Sequence, residues 1–441
     1  MRACFYIVGV GILLSACSSS RQAVEWNTAV ETAVSGGSLP WRIMFPDPLL
    51  ARLIELGLEH NAEIRTANLN VEQAEAALQA ARLALLPSLT NGAEGSLSKT
   101  KGAATTKTYN IPLTMQWEAD LAGRLRGEKR AAAATRWSAS ELERAARLQM
   151  VTAVASHYAT LAMMDEQLAV TRQSIDNARR TVEVMEAMKE AGMQNEAAVS
   201  QSRVFWFSVS ASEKSLMQQI KATENALSVL IGQKQDKIGR AVLESIEFPI
   251  NDSRSYPLSI LAHRPDVKAA EYALKAQMAQ VDVARAAFYP SLTISASAGW
   301  TNNIGEVVNP GQMLLNALGS LVQPLFAKGQ NRANLRIAKA RQKQALVAFN
   351  QSLLVAGAEL SDALTACRLS REKLRLCQQE VAAAQRAYDV SQDLMQNGSN
   401  TYLEVLTAQA ALLQSRLSLA ASRLDRLQGQ INLFKALGGK L

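Results

Sequence analysis

The sequence predicts a mainly α-helical chain that also supplies strands to a membrane β-barrel and is built from two tandem copies of one unit. Three observations carry that expectation. First, 48% of the 441 residues are hydrophobic but only 5% are aromatic. The apolar content is therefore largely Ala and Leu, the composition of long, closely packed helices. Second, the helical pattern breaks twice in nearly the same words: Leu85–Thr90 is LLPSLT and Phe288–Thr293 is FYPSLT, each after an Ala-Arg-x-Ala lead. Third, Leu292, Ile294, Ala296, Ala298 and Trp300 fall on one face of an extended segment, and Thr293, Ser295, Ser297 and Gly299 on the other. Apolar outward, small and polar inward, with an aromatic at the end, is the pattern of a lipid-facing barrel strand. From this segment alone, a half-buried strand of a soluble sheet fits equally well.

Taken in order, residues 1–16 are expected to be a signal peptide rather than structure. Arg2 supplies the positive start and Phe5–Leu14 an apolar core too short to span a bilayer as a mature helix. Leu14-Ser15-Ala16-Cys17 resembles a bacterial lipoprotein box, so Cys17 is expected to be acylated and to open a lipidated segment, residues 17–46. Ser18 in the second mature position resembles the outer-membrane sorting preference. Cys4 leaves with the signal. Cys367 and Cys377 share one predicted helix, separated by roughly 15 Å of rise, too far for a disulfide. They are expected to be small core residues.

Two copies follow, residues 47–232 and 258–441, joined by an equatorial linker, 233–257, with a glycine, two prolines and little periodicity. Asn61–Thr90 lies over Arg264–Thr293 without a gap, with Ala67, Ala76, Ala81, Arg82, Ala84 and Pro87–Thr90 repeated. Further on, Gly123 matches Gly329, Arg126 matches Arg332, Gly192 matches Gly398 and Gly232 matches Gly438. Aligned glycines mark the same turns in both copies. In the first copy a helix is expected from about Pro48 to Leu85, then strands over about 88–120 around a Gly/Ser/Thr/Lys-rich loop, Gly92–Thr108. A helix follows from Gly123 to about Glu190, turns at Ala191-Gly192-Met193 and restarts to Leu230. At 1.5 Å per residue its length is about 100 Å, which suggests coiled-coil packing. The second copy repeats this plan, with strands over about 291–326.

Several function classes are disfavoured. The formal charge is +8, but Lys and Arg are scattered among Asp and Glu without a basic run, so no nucleic-acid partner is expected. The three histidines are His60, His157 and His263. His60 and His263 are equivalent positions of the duplication, better read as repeated helix ends than as metal ligands. No HExxH, GxSxG or Walker-type loop occurs, and neither catalysis, a metal nor a cofactor is expected beyond the lipid on Cys17. No stretch of apolar residues is long enough for a transmembrane helix. Two strand pairs give four strands per chain, which cannot close a barrel, and an open sheet edge is not tolerated in hydrocarbon. Several chains must then share one barrel, with Leu292–Trp300 of one expected beside Ile111–Glu118 of its neighbour.

The motifs together resemble the outer-membrane efflux lipoproteins of the TolC and NodT type. They are Trp41-x-x-x-Phe45-x-Asp47-Pro48-x-Leu50 with Asn61, LALLPSLT, WEADLAGRLR from Trp117, HRPDVKAAE from His263, QPLFAKGQNRANLRIAKA from Gln323 and NGSNTYLEVLTAQ from Asn397. The resemblance implies a homotrimer whose 12-stranded barrel lies in the outer membrane and continues as a helical tunnel through the periplasm. It implies a passive duct whose tip docks a periplasmic membrane-fusion adaptor and, through it, an inner-membrane RND-type transporter. The rival reading is a periplasmic lipoprotein adaptor or coiled-coil scaffold without a pore, its strands in a soluble β-domain.

At the periplasmic tip the sequence places two reversals, around Gly192 and Gly398, where left-handed turns need glycine. Thr401-Tyr-Leu-Glu404 has the form of a capping box. Leu403 and Thr407 share a helix face, which resembles the family's constriction. Many members carry Leu, Asp and Arg at positions matching Leu403, Thr407 and Ala410, and here the Asp and Arg are missing. The gate is therefore expected to close by Leu403, with Glu404 as an acidic ring.

Overall fold

The computed structural model describes residues 40–102, 105–234, 238–250, 256–302, 312–397 and 402–440. The signal, Cys17, Gly398 and Thr401 lie outside the described residues.

The first copy begins with α1 (Trp41–Met44), α2 (Pro48–His60) and α3 (Ala62–Leu83). The single helix expected from Pro48 to Leu85 is thus two, because Asn61 takes an extended conformation and its Oδ1 caps α3 by accepting from Ile64 N at 2.9 Å. Strands β1 (Ser88–Asn91), β2 (Glu94–Ser98) and β3 (Thr106–Ala119) follow, then α4 (Arg124–Glu190) and α5 (Glu196–Ile231). The expected loop at Gly92–Thr108 is shorter than its composition suggested, since β2 and the start of β3 fall within it. The second copy comprises α6 (Pro265–Ala286), β4 (Ser291–Asn302), β5 (Gln312–Val322), α7 (Gln330–Gln396) and α8 (Tyr402–Ala436). Helices α4 and α7 are each 67 residues long, about 100 Å. Among the described residues no helix is long and apolar enough to cross a membrane.

The duplication extends to single hydrogen bonds. Asn61 Nδ2 donates to Leu230 O at 2.7 Å, and Arg264 Nη1 donates to Ala436 O at 3.4 Å, at matching positions. Gly232 and Gly438 end α5 and α8 with φ of 71° and 76°. A side chain at Gly232 would begin 2.4 Å from His60 O. Asn61 and Arg264, each next to one of the repeated histidines, therefore mark a repeated closure of helix end on helix start. Arg264 itself is buried and paired with Asp266 at 2.7 Å and Glu359 at 2.6 Å. Burial opposes its charge, but these carboxylates hold its pKa above the usual value.

The main core lies midway along the helices. Phe45 packs edge-on against Phe248 at 5.1 Å and Phe434 at 5.4 Å, bringing together the N-terminal segment, the inter-copy linker and α8. Ile238, Leu243, Ile246 and Phe248 of the linker are buried there. The same junction is tied by Tyr158, whose hydroxyl donates to Asp47 and accepts from Ala241 N. Cys367 and Cys377 are buried, as expected of small core residues.

The sheet is antiparallel, in the order β1-β3-β4-β5, with β2 continuing β1 along the same flank of β3. Here the structure corrects an expectation. Ile111–Glu118 and Leu292–Trp300 are neighbours within one chain, Ile111 opposite Trp300 and Glu118 opposite Thr293. The free edges are β1/β2 on one side and β5 on the other. The closeness of the inner pair explains Gly299: a Cβ there would meet Ile111 O at 2.4 Å.

Among the helices, α4 packs against α5 and α8, and α8 against α7. This leaves α5 and α7 at the margins of the array, with exposed Val204, Phe207 and Val229 on α5 and Leu369, Leu376 and Val390 on α7. Sheet and helices thus end in unpartnered margins alike.

Candidate functional site

Directly opposed residues of an antiparallel sheet point to the same side. The register therefore aligns Leu89, Met115, Ala296 and Ala317 in one row, and Leu113, Ala298 and Leu315 in the next. Trp117 with Ile294, and Ile111 with Trp300, extend the same face. The opposite face carries Thr90, Thr114, Ser297 and Asn316 in one row, and Gln116 and Ser295 in another. Together the strands give one mainly apolar and one mainly polar side. Asn91, opposite Leu113, is an exception on the apolar side, and Leu318 and Val322, opposite Ser295 and Ser291, are exceptions on the polar side.

The apolar side is exposed in the single chain: Leu113, Leu315 and Trp300 are 45%, 71% and 57% exposed. Strands of 14, 12 and 11 residues in β3, β4 and β5 are long enough for a tilted membrane crossing, which takes about 9–11. Trp117 sits where sheet meets helices, its indole donating to Leu85 O at 3.0 Å. An amphipathic ring there suits the membrane–water interface.

The strand-to-helix junction is fixed by WEADLAGRLR. Gly123 adopts φ 78° and cannot cap α4 with a side chain, so Asp120 does so, accepting from Leu125 N at 3.1 Å and Arg126 N at 2.9 Å. Burial alone would raise the Asp120 carboxyl, but these bonds and the Arg126 guanidinium hold it below the usual value. Arg124 bridges Glu118 at 2.6 Å and Glu128 at 2.7 Å.

At the other end, α4 stops at a left-handed Gly192, φ 72°, with Met193 N donating to Met188 O at 2.8 Å. Asn195 caps α5 through Ala198 N at 3.0 Å. On α8, Leu403 is 58% exposed, and Glu404 and Thr407 are exposed on the same side. Thr407 Oγ1 is bonded back to Leu403 O at 2.8 Å. The opposite side of α8 buries Tyr402, Val405, Gln409 and Leu412. Sequence reasoning passed over Tyr402, although that buried stripe has helical spacing and could have been found.

The outer membrane efflux protein family profile matches residues 53–233 and again 257–439. The toluene efflux pump outer membrane protein TtgF of Pseudomonas putida is 29% identical over 418 residues, 91% of this chain and 85% of that protein. The cation efflux system protein CusC of Escherichia coli strain K12 is 28% identical over 425 residues, 95% and 92% of the two chains. A crystal structure of CusC, described with its transmembrane channel formation, superposes with a TM-score of 0.85 at 28% identity, over 91% of this chain and 94% of that one. The exposed apolar sheet face and the repeated 67-residue helices are the parts such a channel needs. The chain belongs to the outer membrane efflux protein family and is the outer-membrane channel of an efflux system, its long helices extending into the periplasm.

Proposed function

We propose that three copies of the chain close one 12-stranded barrel and one helical tunnel, forming a passive exit duct. The observation that carries this is the pair of open sheet edges, β5 and β1/β2, on a sheet whose apolar face is exposed. Edges of that kind are satisfied in lipid only by closure, and joining β5 of one chain to β1/β2 of the next satisfies both. The unpartnered helices α5 and α7 then meet below the same seam.

In this reading the tip docks a periplasmic membrane-fusion adaptor, and an inner-membrane RND-type transporter supplies the energy. Relatives at nearly the same distance are named for toluene and for cations, which supports a duct whose cargo is chosen by its partner. Cys17 carries a diacylglyceryl thioether and an N-acyl group; each buried methylene contributes about 0.8 kcal/mol, so two or three chains anchor stably. The exposed Leu403 side chains meet near the three-fold axis as the periplasmic constriction, with Glu404 as an acidic ring beside them.

Native mass spectrometry of the detergent-extracted protein tests assembly and lipidation together. The expected spectrum is three chains, each beginning at Cys17 and carrying the lipid mass. A well-folded monomer would overturn the shared barrel, and an unmodified Cys17 the anchor.

A further inference from the structure

The net charge of +8 has no nucleic-acid use, and along the chain the basic residues look scattered. In the fold an outward-facing set of them gathers at one level. Arg82 lies in the last turn of α3 and Arg285 in the last turn of α6, while Arg126 and Arg332 lie in the first turns of α4 and α7. Each of the four helices thus carries an arginine where it meets the sheet. The duplication repeats the set, Arg82 over Arg285 and Arg126 over Arg332, and one turn farther from the sheet Arg130 over Arg336. Helix electrostatics does not account for them. The macrodipole favours a cation at a helix C-terminus but opposes one at an N-terminus, and α4 and α7 have no acidic residue in their first turns. What the four arginines share is their level, just below the strands.

They also share a side. Glu118 lies opposite Thr293 on the polar side of the sheet, and Arg124, bound to it at 2.6 Å, therefore marks the lumen side of α4. Arg126 is about 200° farther round the helix from Arg124, and Arg130, four residues on, shares its face. That face is the outer one. Across on α6, Asp282 meets Arg130 at 3.1 Å and Arg285 at 3.6 Å, so Arg285 faces outward too. By the duplication Arg82, Arg332 and Arg336 do the same, whereas the lumen pair Arg124 and Glu128 falls on Gln330 and Asn334 in the second copy. Among the described residues the only ion-pair partners of the six outward arginines are Asp120 and Asp282, and Arg82, Arg332 and Arg336 have none. Above them, at the turns into the sheet, stand the exposed side chains of Leu86, Leu121, Tyr289 and Phe326, each four to six residues from its arginine.

We propose that these six arginines form a collar that binds the phosphates of anionic phospholipids, phosphatidylglycerol among them, in the periplasmic leaflet of the outer membrane. The collar continues the apolar face of the sheet directly downward. An apolar side chain at the edge of the hydrocarbon, with an arginine about one turn below it, matches the step from acyl chain to headgroup. The guanidinium fork offers paired N–H donors to phosphate oxygens, and the excess of arginine over carboxylate selects headgroups with net negative charge. Every chain carries its own share of the collar, and three chains closing one barrel would carry it round the whole circumference.

The test is native mass spectrometry of the full-length, lipidated protein in detergent, titrated with phosphatidylglycerol or with phosphatidylethanolamine. An arginine beside an anionic membrane surface contributes about fivefold in affinity, so the wild type is expected to retain several-fold more phosphatidylglycerol. A variant combining Arg82→Gln, Arg332→Gln and Arg336→Gln, which breaks no ion pair, is expected to lose most of that preference. Removing the same charge far from the membrane, by Arg179→Gln, Arg180→Gln and Arg203→Gln, is expected to leave it. Equal retention of the two lipids by the wild type, or a wild-type preference in the collar variant, would overturn the proposal. If the collar variant does not fold, Arg332→Gln alone decides by the same criterion. The adducts are scored on whichever oligomer appears. A monomer that prefers phosphatidylglycerol would overturn the shared barrel and leave the collar standing, and a trimer without the preference would do the reverse.

Discussion

Ala298→Arg is expected to remove the protein from the outer membrane, whereas Ser297→Arg, at the adjacent position, leaves it there. Ala298 lies opposite Leu113 and Leu315 on the apolar side, near the middle of its strand. Ser297 lies opposite Thr114 and Asn316 on the other side. An arginine on the lipid side at the bilayer midplane costs about 2–4 kcal/mol, and a trimer carries it three times. That is comparable with the whole stability of an ordinary domain, about 5–15 kcal/mol. At Ser297 the guanidinium faces the water-filled lumen and changes ion selectivity instead. Membrane fractionation and the yield of heat-resistant trimer read the difference. Equal yields for the two variants would mean that the sheet does not face lipid.

Leu403→Ala is expected to raise the conductance of the isolated trimer and to sensitise cells to large antibiotics that the outer membrane normally excludes. The side chain is exposed in the single chain, and the proposed trimer brings three copies of it together at the periplasmic constriction. Truncating each leucine to alanine widens that ring without disturbing the buried side of α8, where Tyr402, Val405 and Leu412 pack. Thr407→Ala is expected to do little, because the Thr407 hydroxyl is already bonded to Leu403 O at 2.8 Å. Unchanged conductance in intact Leu403→Ala trimers would place the constriction elsewhere.

Much of this architecture is legible in the sequence, for physical reasons that can be named. Turns that require a left-handed residue recur as Gly123 and Gly329, with φ of 78° and 81°, so a duplicated chain shows its hinges directly. Long helices announce themselves by composition, and β4 by its period of two. Strand neighbours are another matter. Alternation tells which face a residue takes but not which strand lies alongside, and β3 pairs with β4 across a separation of more than 170 residues of chain. Leu292–Trp300 was therefore expected beside Ile111–Glu118 of a neighbouring chain, whereas the two pair within one chain. The break at Asn61 was hidden because an apolar pattern runs through it from Leu53 to Leu69. The linker looked loose because irregular segments have no periodicity, although Phe248 is as buried as a helix core residue. At the tip, the exposed side of α8 drew notice through its resemblance to a known constriction, and the buried side holding Tyr402 did not.

The most direct test of the shared barrel is a disulfide scan across its seam. Cys367 and Cys377 are first replaced, and one cysteine is placed at Leu89 on β1 while a second is moved along β5 from Leu315 to Leu321. Within the sheet, Leu89 and Ala317 end the row that runs through Met115 and Ala296, at opposite edges of the same chain. Oxidation in outer membranes is expected to yield covalent dimers and trimers on denaturing gels for one stretch of β5 positions. A control pair at Leu113 and Ala298, neighbours within the chain, should leave monomers. Failure of every β5 position to crosslink chains, in protein that has reached the outer membrane, would contradict a barrel built from three copies.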